Sequence, residues 1–140
     1  MTDSRRKGAR GERQFCKRLN ERGYGAYRSA QHAGIARRDD SADVITSIEG
    51  VRFEVKRGKN NVHIWHKQVQ DWIEKAKDET PDDKMWCIAW RPDRADWHFI
   101  LQCAFFQVSD FVLVPDFEAM LNWCDPERDF TVDNPDEWIK

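Results

Sequence analysis

An α/β fold, a central mixed β-sheet flanked by helices, is what this sequence predicts. Three observations lead there. Apolar residues recur at helical spacing over residues 5–22 and again over about 63–78. Segments that alternate, or are continuously apolar, occupy 42–57 and 85–101. The resulting order of helix, strands, helix, strands suits a mixed sheet with helices packed on it.

The first helix presents Ala9, Glu12, Phe15, Cys16 and Leu19 on one face, with Arg10, Arg13, Lys17 and Arg18 spread over the others. Gly23 is placed to end it as a C′ residue. Residues 24–28 form a short strand, and 29–41 a polar loop containing Gly34, Arg37 and Arg38. Two strands, 42–48 and 51–57, are expected to join through a tight turn at Glu49-Gly50. The second helix carries Trp65, Val69, Trp72, Ile73 and Ala76 as its stripe. Met85 to Trp90 reads as a central strand and Trp97 to Leu101 as its return. An apolar patch at 104–114 and a short helix at about 116–123 follow, then an acidic and loosely packed stretch, 125–140.

A length of 140 residues suits one domain with one core, and 7 Trp and 8 Phe supply that core generously. Composition is 40 % hydrophobic and 34 % charged, which is globular rather than disordered. No apolar run approaches the roughly 18 residues of a membrane span, and the polar, basic start carries no secretory signal. Cys16, Cys87, Cys103 and Cys124 are scattered, as expected of reduced thiols in a cytoplasm. His63-x-x-His66 lacks a second pair and is a weak zinc motif. Charge is unevenly divided. Residues 1–60 hold 15 Lys and Arg against 8 Asp and Glu, whereas 61–140 hold 8 against 17. The basic half can meet phosphates.

The strand pair carries the chemistry. A two-residue turn at Glu49-Gly50 pairs Ile48 with Val51, Ile45 with Glu54 and Asp43 with Lys56. Side chains alternate along a strand, so Asp43, Glu54 and Lys56 share one face. Opposed residues lie about 5 Å apart at Cβ and diagonal ones roughly 7–8 Å. Two carboxylates so placed can hold a hard divalent cation, and a neighbouring lysine can orient water or stabilise charge growing on phosphorus. The bland alternative is a cross-strand salt bridge on a solvated face. Glu12 lies inside an apolar stripe, where a carboxylate needs a partner or a site.

Ser41-Ala42-Asp43, ten residues, then Glu54-Val55-Lys56 resembles the PD-(D/E)xK nuclease signature, with Ala42 where that family often has proline. Lys7 to Arg13 and Tyr27-Arg28-Ser29-Ala30 resemble the opening of archaeal-type Holliday junction resolvases and their phage relatives, although Gln31-His32-Ala33-Gly34 replaces their Gly-Ser loop. The resemblance covers about residues 5–90 and implies a restriction-endonuclease-like fold. It also implies Asp43, Glu54 and the Val55 carbonyl as ligands of Mg²⁺ or Mn²⁺, Lys56 as the residue positioning water, and Glu12 completing the metal shell. Some branches add a glutamine on the following helix; Gln68 is favoured here over Gln70.

Arg10, Arg28, Ser29, Arg37, Arg38, Arg57 and Lys59 are the expected DNA contacts, because basic clusters hold phosphates without reading bases. The leading expectation is a structure-selective endonuclease acting on branched DNA, as a homodimer, in a prokaryotic or phage-infected cytoplasm. Phe105, Phe106, Phe111, Val112 and Leu113 are core candidates that could also serve a dimer interface. The rivals are a repair or restriction nuclease on linear DNA and a non-catalytic nucleic-acid-binding module.

Overall fold

The computed structural model describes residues 2–29, 42–58, 66–102 and 111–126. Its elements run α1 (Thr2–Glu21), β1 (Ala26–Arg28), β2 (Val44–Thr46), β3 (Val51–Gly58), α2 (Lys67–Glu79), β4 (Met85–Pro92), β5 (His98–Gln102), β6 (Phe111–Val114) and α3 (Phe117–Cys124). The six strands form one sheet in sequence order, β1 to β6. Only β3 and β4 pair in parallel, as two strands joined by a helix must when they lie side by side; the other pairs are antiparallel. This is the expected mixed sheet.

Helix α1 buries Phe15, Cys16 and Leu19, the stripe its periodicity predicts. It ends at Gly23, whose φ of 87° only glycine adopts freely. Gly23 N–H donates to Asn20 O and Tyr24 N–H to Leu19 O, the paired bonds of a Schellman motif. The Phe15 ring is the hub of the core on this side, with centroids 5.3 Å from Phe53, 5.4 Å from Trp97 and 6.0 Å from Phe117. Deleting a ring so placed costs about 3–5 kcal/mol. Helix α3, capped by Asp116 accepting from Ala119 N–H, adds Phe117, Met120 and Leu121 to the same core.

Helix α2 covers the opposite side. His66 caps it by accepting Gln68 N–H on Nδ1, and Val69, Ile73 and Ala76 pack against Trp86, Ile88 and Ile100. Strand β3 therefore lies between two cores. Val51, Phe53 and Val55 face α1, leaving Arg52, Glu54 and Lys56 to face α2.

The turn before β3 departs from expectation. Residues 47–50 all lie outside the strands, Thr46 Oγ1 accepts Ile48 N–H, and the register sets Val44 against Phe53 rather than Val55. The two-residue turn is thus a longer loop and the pairing slips by two. Ser47 N–H is taken by Gly25 O, which draws the end of β2 toward β1 instead of into a tight hairpin. A slip of two preserves sidedness, whereas a slip of one would have reversed it. Residues 104–110, including Phe105 and Phe106, and 127–140 lie outside the described residues, as do 63–65 of the expected second helix.

Candidate active site

Extending the Val44–Phe53 register by one residue sets Asp43 against Glu54. The two carboxylates stand side by side, close enough for Asp43 to raise the pKa of Glu54. Asp43 precedes β2, and its Oδ2 accepts the backbone N–H of Val55 at 3.0 Å. A side-chain carboxylate thus serves as acceptor for a β3 amide where the ladder ends. Ser29 reinforces this corner: its N–H donates to Asp43 O at 3.1 Å and its hydroxyl to the same oxygen at 3.3 Å.

Glu54 is 8 % exposed. Burial, then the adjacent Asp43 carboxylate and its like charge, push its pKa up to about 7, against the pull of Arg52 and Lys56. Two carboxylates held this close repel when both are charged, and a divalent cation bound between them relieves that repulsion. The residues therefore fit a hard metal ion.

Arg52 lies beneath the pair and is not among the residues expected at the site. It is buried, with Nη1 2.6 Å from Glu54 Oε1 and Nη2 3.2 Å from Glu79 Oε2 on α2. One Glu54 oxygen is thereby anchored. The alternation Arg52-x-Glu54-x-Lys56 holds the signal, since an arginine sharing a strand face with a site carboxylate is its nearest available counter-charge. Lys56 projects on the same side, its Nζ 5.8 Å from the centroid of the Trp72 ring. Trp72 packs edge-on against Trp90, its centroid at 5.9 Å.

Glu12 is placed differently. Its Oε2 accepts from Arg28 Nε at 2.8 Å, both side chains being largely buried. Arg28 is paired with Val44 and so faces α1, across the sheet from Glu54 and Lys56. Among the described residues no three His, Cys, Asp or Glu side chains are grouped so as to hold a metal. The structure thus brings Asp43, Glu54 and Lys56 together and sets Glu12 with Arg28. Gln68 is exposed in the first turn of α2 and Gln70 half-buried. Arg10 and Arg57 line a common cavity with Arg6, Lys7 and Asp93. Arg37, Arg38 and Lys59 lie outside the described residues.

A mixed sheet that seats an aspartate against a Glu-x-Lys strand defines the PD-(D/E)xK class, with its restriction-endonuclease-like fold. The family model for the archaeal Holliday junction resolvase (Hjc) matches residues 3–110, and the chain belongs to that family. Its members are metal-dependent, structure-selective endonucleases that hydrolyse DNA phosphodiester bonds. Among solved structures, Hjc from Archaeoglobus fulgidus, a Holliday junction resolvase from an archaeal hyperthermophile, is similar at 18 % identity. That similarity covers 76 % of this chain and 85 % of that one, with a TM-score of 0.44. No curated protein sequence matches the chain.

Proposed function

We propose that this chain is a Mg²⁺- or Mn²⁺-dependent endonuclease that resolves branched DNA, with Asp43, Glu54 and Lys56 as its catalytic residues. The observation that carries this reading is the contact between the Asp43 and Glu54 carboxylates, with Lys56 on the same side of the sheet.

Asp43, Glu54 and the Val55 carbonyl would hold the ion. Bound there, a divalent cation polarises the phosphate and lowers the pKa of water. Arg52 holds one Glu54 oxygen, which fixes the carboxylate beside Asp43. Lys56 supplies an ammonium that donates to a phosphate oxygen or to the attacking water, stabilising charge that grows during displacement. Ser29 ties the Asp43 backbone to β1, which keeps the first acid in register with the second strand. Glu12 contributes through its contact with Arg28, and Gln68, exposed in the first turn of α2, is offered to the site from the helix that follows the Glu-x-Lys strand. Arg10, Arg28, Arg57, Arg37, Arg38 and Lys59 hold the backbone of the substrate.

Two symmetric cuts across a four-way junction need two sites, which a homodimer supplies. The edge strand β6 offers Leu113, 45 % exposed, beside Phe111 and Val112 as part of such an interface. The direct test incubates purified protein with a four-way junction, a duplex and a single strand, each with Mg²⁺, Mn²⁺ or EDTA. Paired incisions in the junction that need metal are expected. Cleavage of none of the three substrates with either metal rejects the proposal.

A further inference from the structure

A second polar concavity lies on the α1 side of the sheet, away from the acid pair. It has a volume of about 430 Å³ and is lined by Arg6, Lys7, Arg10, Arg57 and Asp93. Four cations surround one carboxylate, so Asp93 leaves most of that charge uncompensated.

Its construction is specific. Lys7 Nζ lies 2.6 Å from Asp93 Oδ2 and Arg57 Nη2 3.3 Å from Asp93 Oδ1, so each carboxylate oxygen is occupied by a different cation. The Lys7 hydrogen bond is the main reason that Asp93 titrates below the usual carboxylate range. Arg57 threads past α1 at Gly11, where any Cβ would collide with its side-chain methylenes. Its Nε is buried with no hydrogen-bond partner. Arg6 and Arg10 are exposed, stand one helical turn apart, and have no ion-pair partner among the described residues. Like charges at that spacing repel, so nothing within the helix favours the pairing. An anion between them would.

Position supplies the ligand. Arg57 directly follows Lys56 on β3 but faces the other way, so the cavity and the acid pair flank the same strand end. Glu54 and Arg57 are about 10 Å apart along the strand at the usual rise. A strand of nucleic acid with one phosphate at the acid pair brings further phosphates within reach of the cavity.

We propose that the cavity is a subsite for a second backbone phosphate of bound DNA, in which Asp93 is an internal competitor. The carboxylate holds Lys7 and Arg57 in place and gives up part of their hydrogen bonding when a phosphodiester enters. The subsite rests on the reading of the chain as a DNA-acting nuclease, and it names residues beyond those of the cleavage chemistry.

The test is binding of a labelled four-way junction by fluorescence anisotropy in EDTA, titrated with NaCl. The wild type, Arg6→Gln/Arg10→Gln and Asp93→Asn are compared. The double variant should bind more weakly, and the slope of log affinity against log salt should fall by about 0.9, one phosphate contact being lost. Asp93→Asn should bind more tightly at low salt and steepen the slope by up to about 0.9. Unchanged affinity and slope in the double variant overturns the proposal, as does weaker binding by a folded Asp93→Asn. Arg6 and Arg10 are exposed, so the double variant tests the idea even if Asp93→Asn does not fold. Inorganic phosphate at constant ionic strength is a further arm. If it is held by the wild type and released by the double variant while the DNA slopes agree, the cavity takes a free anion and the DNA reading of it fails. Cleavage of the same junction in Mg²⁺ is scored separately. Cleavage with unchanged salt slopes sinks the subsite alone, and altered slopes with no cleavage sink the nuclease reading alone.

Discussion

The Asp43 carboxylate accepts the amide N–H of Val55, the residue that separates Glu54 from Lys56. The first acid is thereby fixed to the strand that carries the other two groups, and its placement does not depend on the length of the loop between them. Asn at position 43 keeps an oxygen for that N–H but removes a negative charge beside Glu54. Asp43→Asn should therefore melt at or above the wild-type temperature while its cleavage rate falls by roughly 10²–10³-fold, several kcal/mol of lost charge stabilisation. Lys56→Ala should lose a similar factor. Calorimetry and a junction-cleavage time course read the two effects separately. Wild-type cleavage by either variant would remove these residues from the chemistry.

Glu54 makes the metal site sensitive to pH. Its pKa is about 7 in the fold against 4.5 for an ordinary glutamate, so the folded metal-free protein binds a proton that the unfolded chain releases. Stability from this group is full below about pH 4.5 and is lost as pH rises through about 7. A cation competes for the same oxygens. Titration calorimetry with Mn²⁺ in buffers of different ionisation enthalpy should show close to one proton released at pH 6 and almost none at pH 8. Arg52 opposes the upward shift, so Arg52→Met should move the midpoint of proton release to higher pH. Well above that midpoint, where Glu54 must be charged, it should also destabilise the protein by about 3–5 kcal/mol, because it leaves a buried carboxylate without its cation. No proton release at either pH would mean that the ion binds elsewhere.

Much of this site is legible in the amino-acid sequence. Alternation along 51–57 places Glu54 and Lys56 on one side, and adding Asp43 requires only that strand parity survive the turn. The turn itself is not legible, because the draw of Gly25 on Ser47 is a long-range contact with no local signature. Parity survives since the slip is even. The stripe of α1 identifies Phe15 and Leu19 as core but cannot show that Glu12 meets Arg28, since that depends on where β1 lies beneath the helix. Asp93 is hidden for the same reason, as its partners Lys7 and Arg57 lie far from it along the chain and reach it only through the fold.

Lys56 Nζ lies over the face of the Trp72 ring, and Trp72 is itself braced by Trp90. An ammonium near an aromatic face gains about 0.5–2 kcal/mol, so Trp72→Leu should lower kcat by about 2- to 30-fold with little change in KM for the junction. Trp72→Phe keeps a π-face and should recover part of the loss. Equal losses in both variants, accompanied by equal falls in Tm, would show that Trp72 acts only as packing for α2.

The pairing of Glu12 with Arg28 separates two roles for Glu12. If the acid works by holding Arg28 against DNA, then Glu12→Gln and Arg28→Met should weaken junction binding alike, and the double variant should bind no worse than either. Their thermal stabilities should show a coupling of about 0.5–3 kcal/mol, as expected for contacting groups. Mn²⁺ affinity, measured without DNA, should barely change in Glu12→Gln, because Asp43 and Glu54 remain. A direct ligand would behave otherwise: removing it would cost metal affinity in the wild type, and more in the Arg28→Met background, where the carboxylate is free of its arginine. That result would place Glu12 in the coordination shell, with Arg28 as the partner that occupies it until the ion arrives.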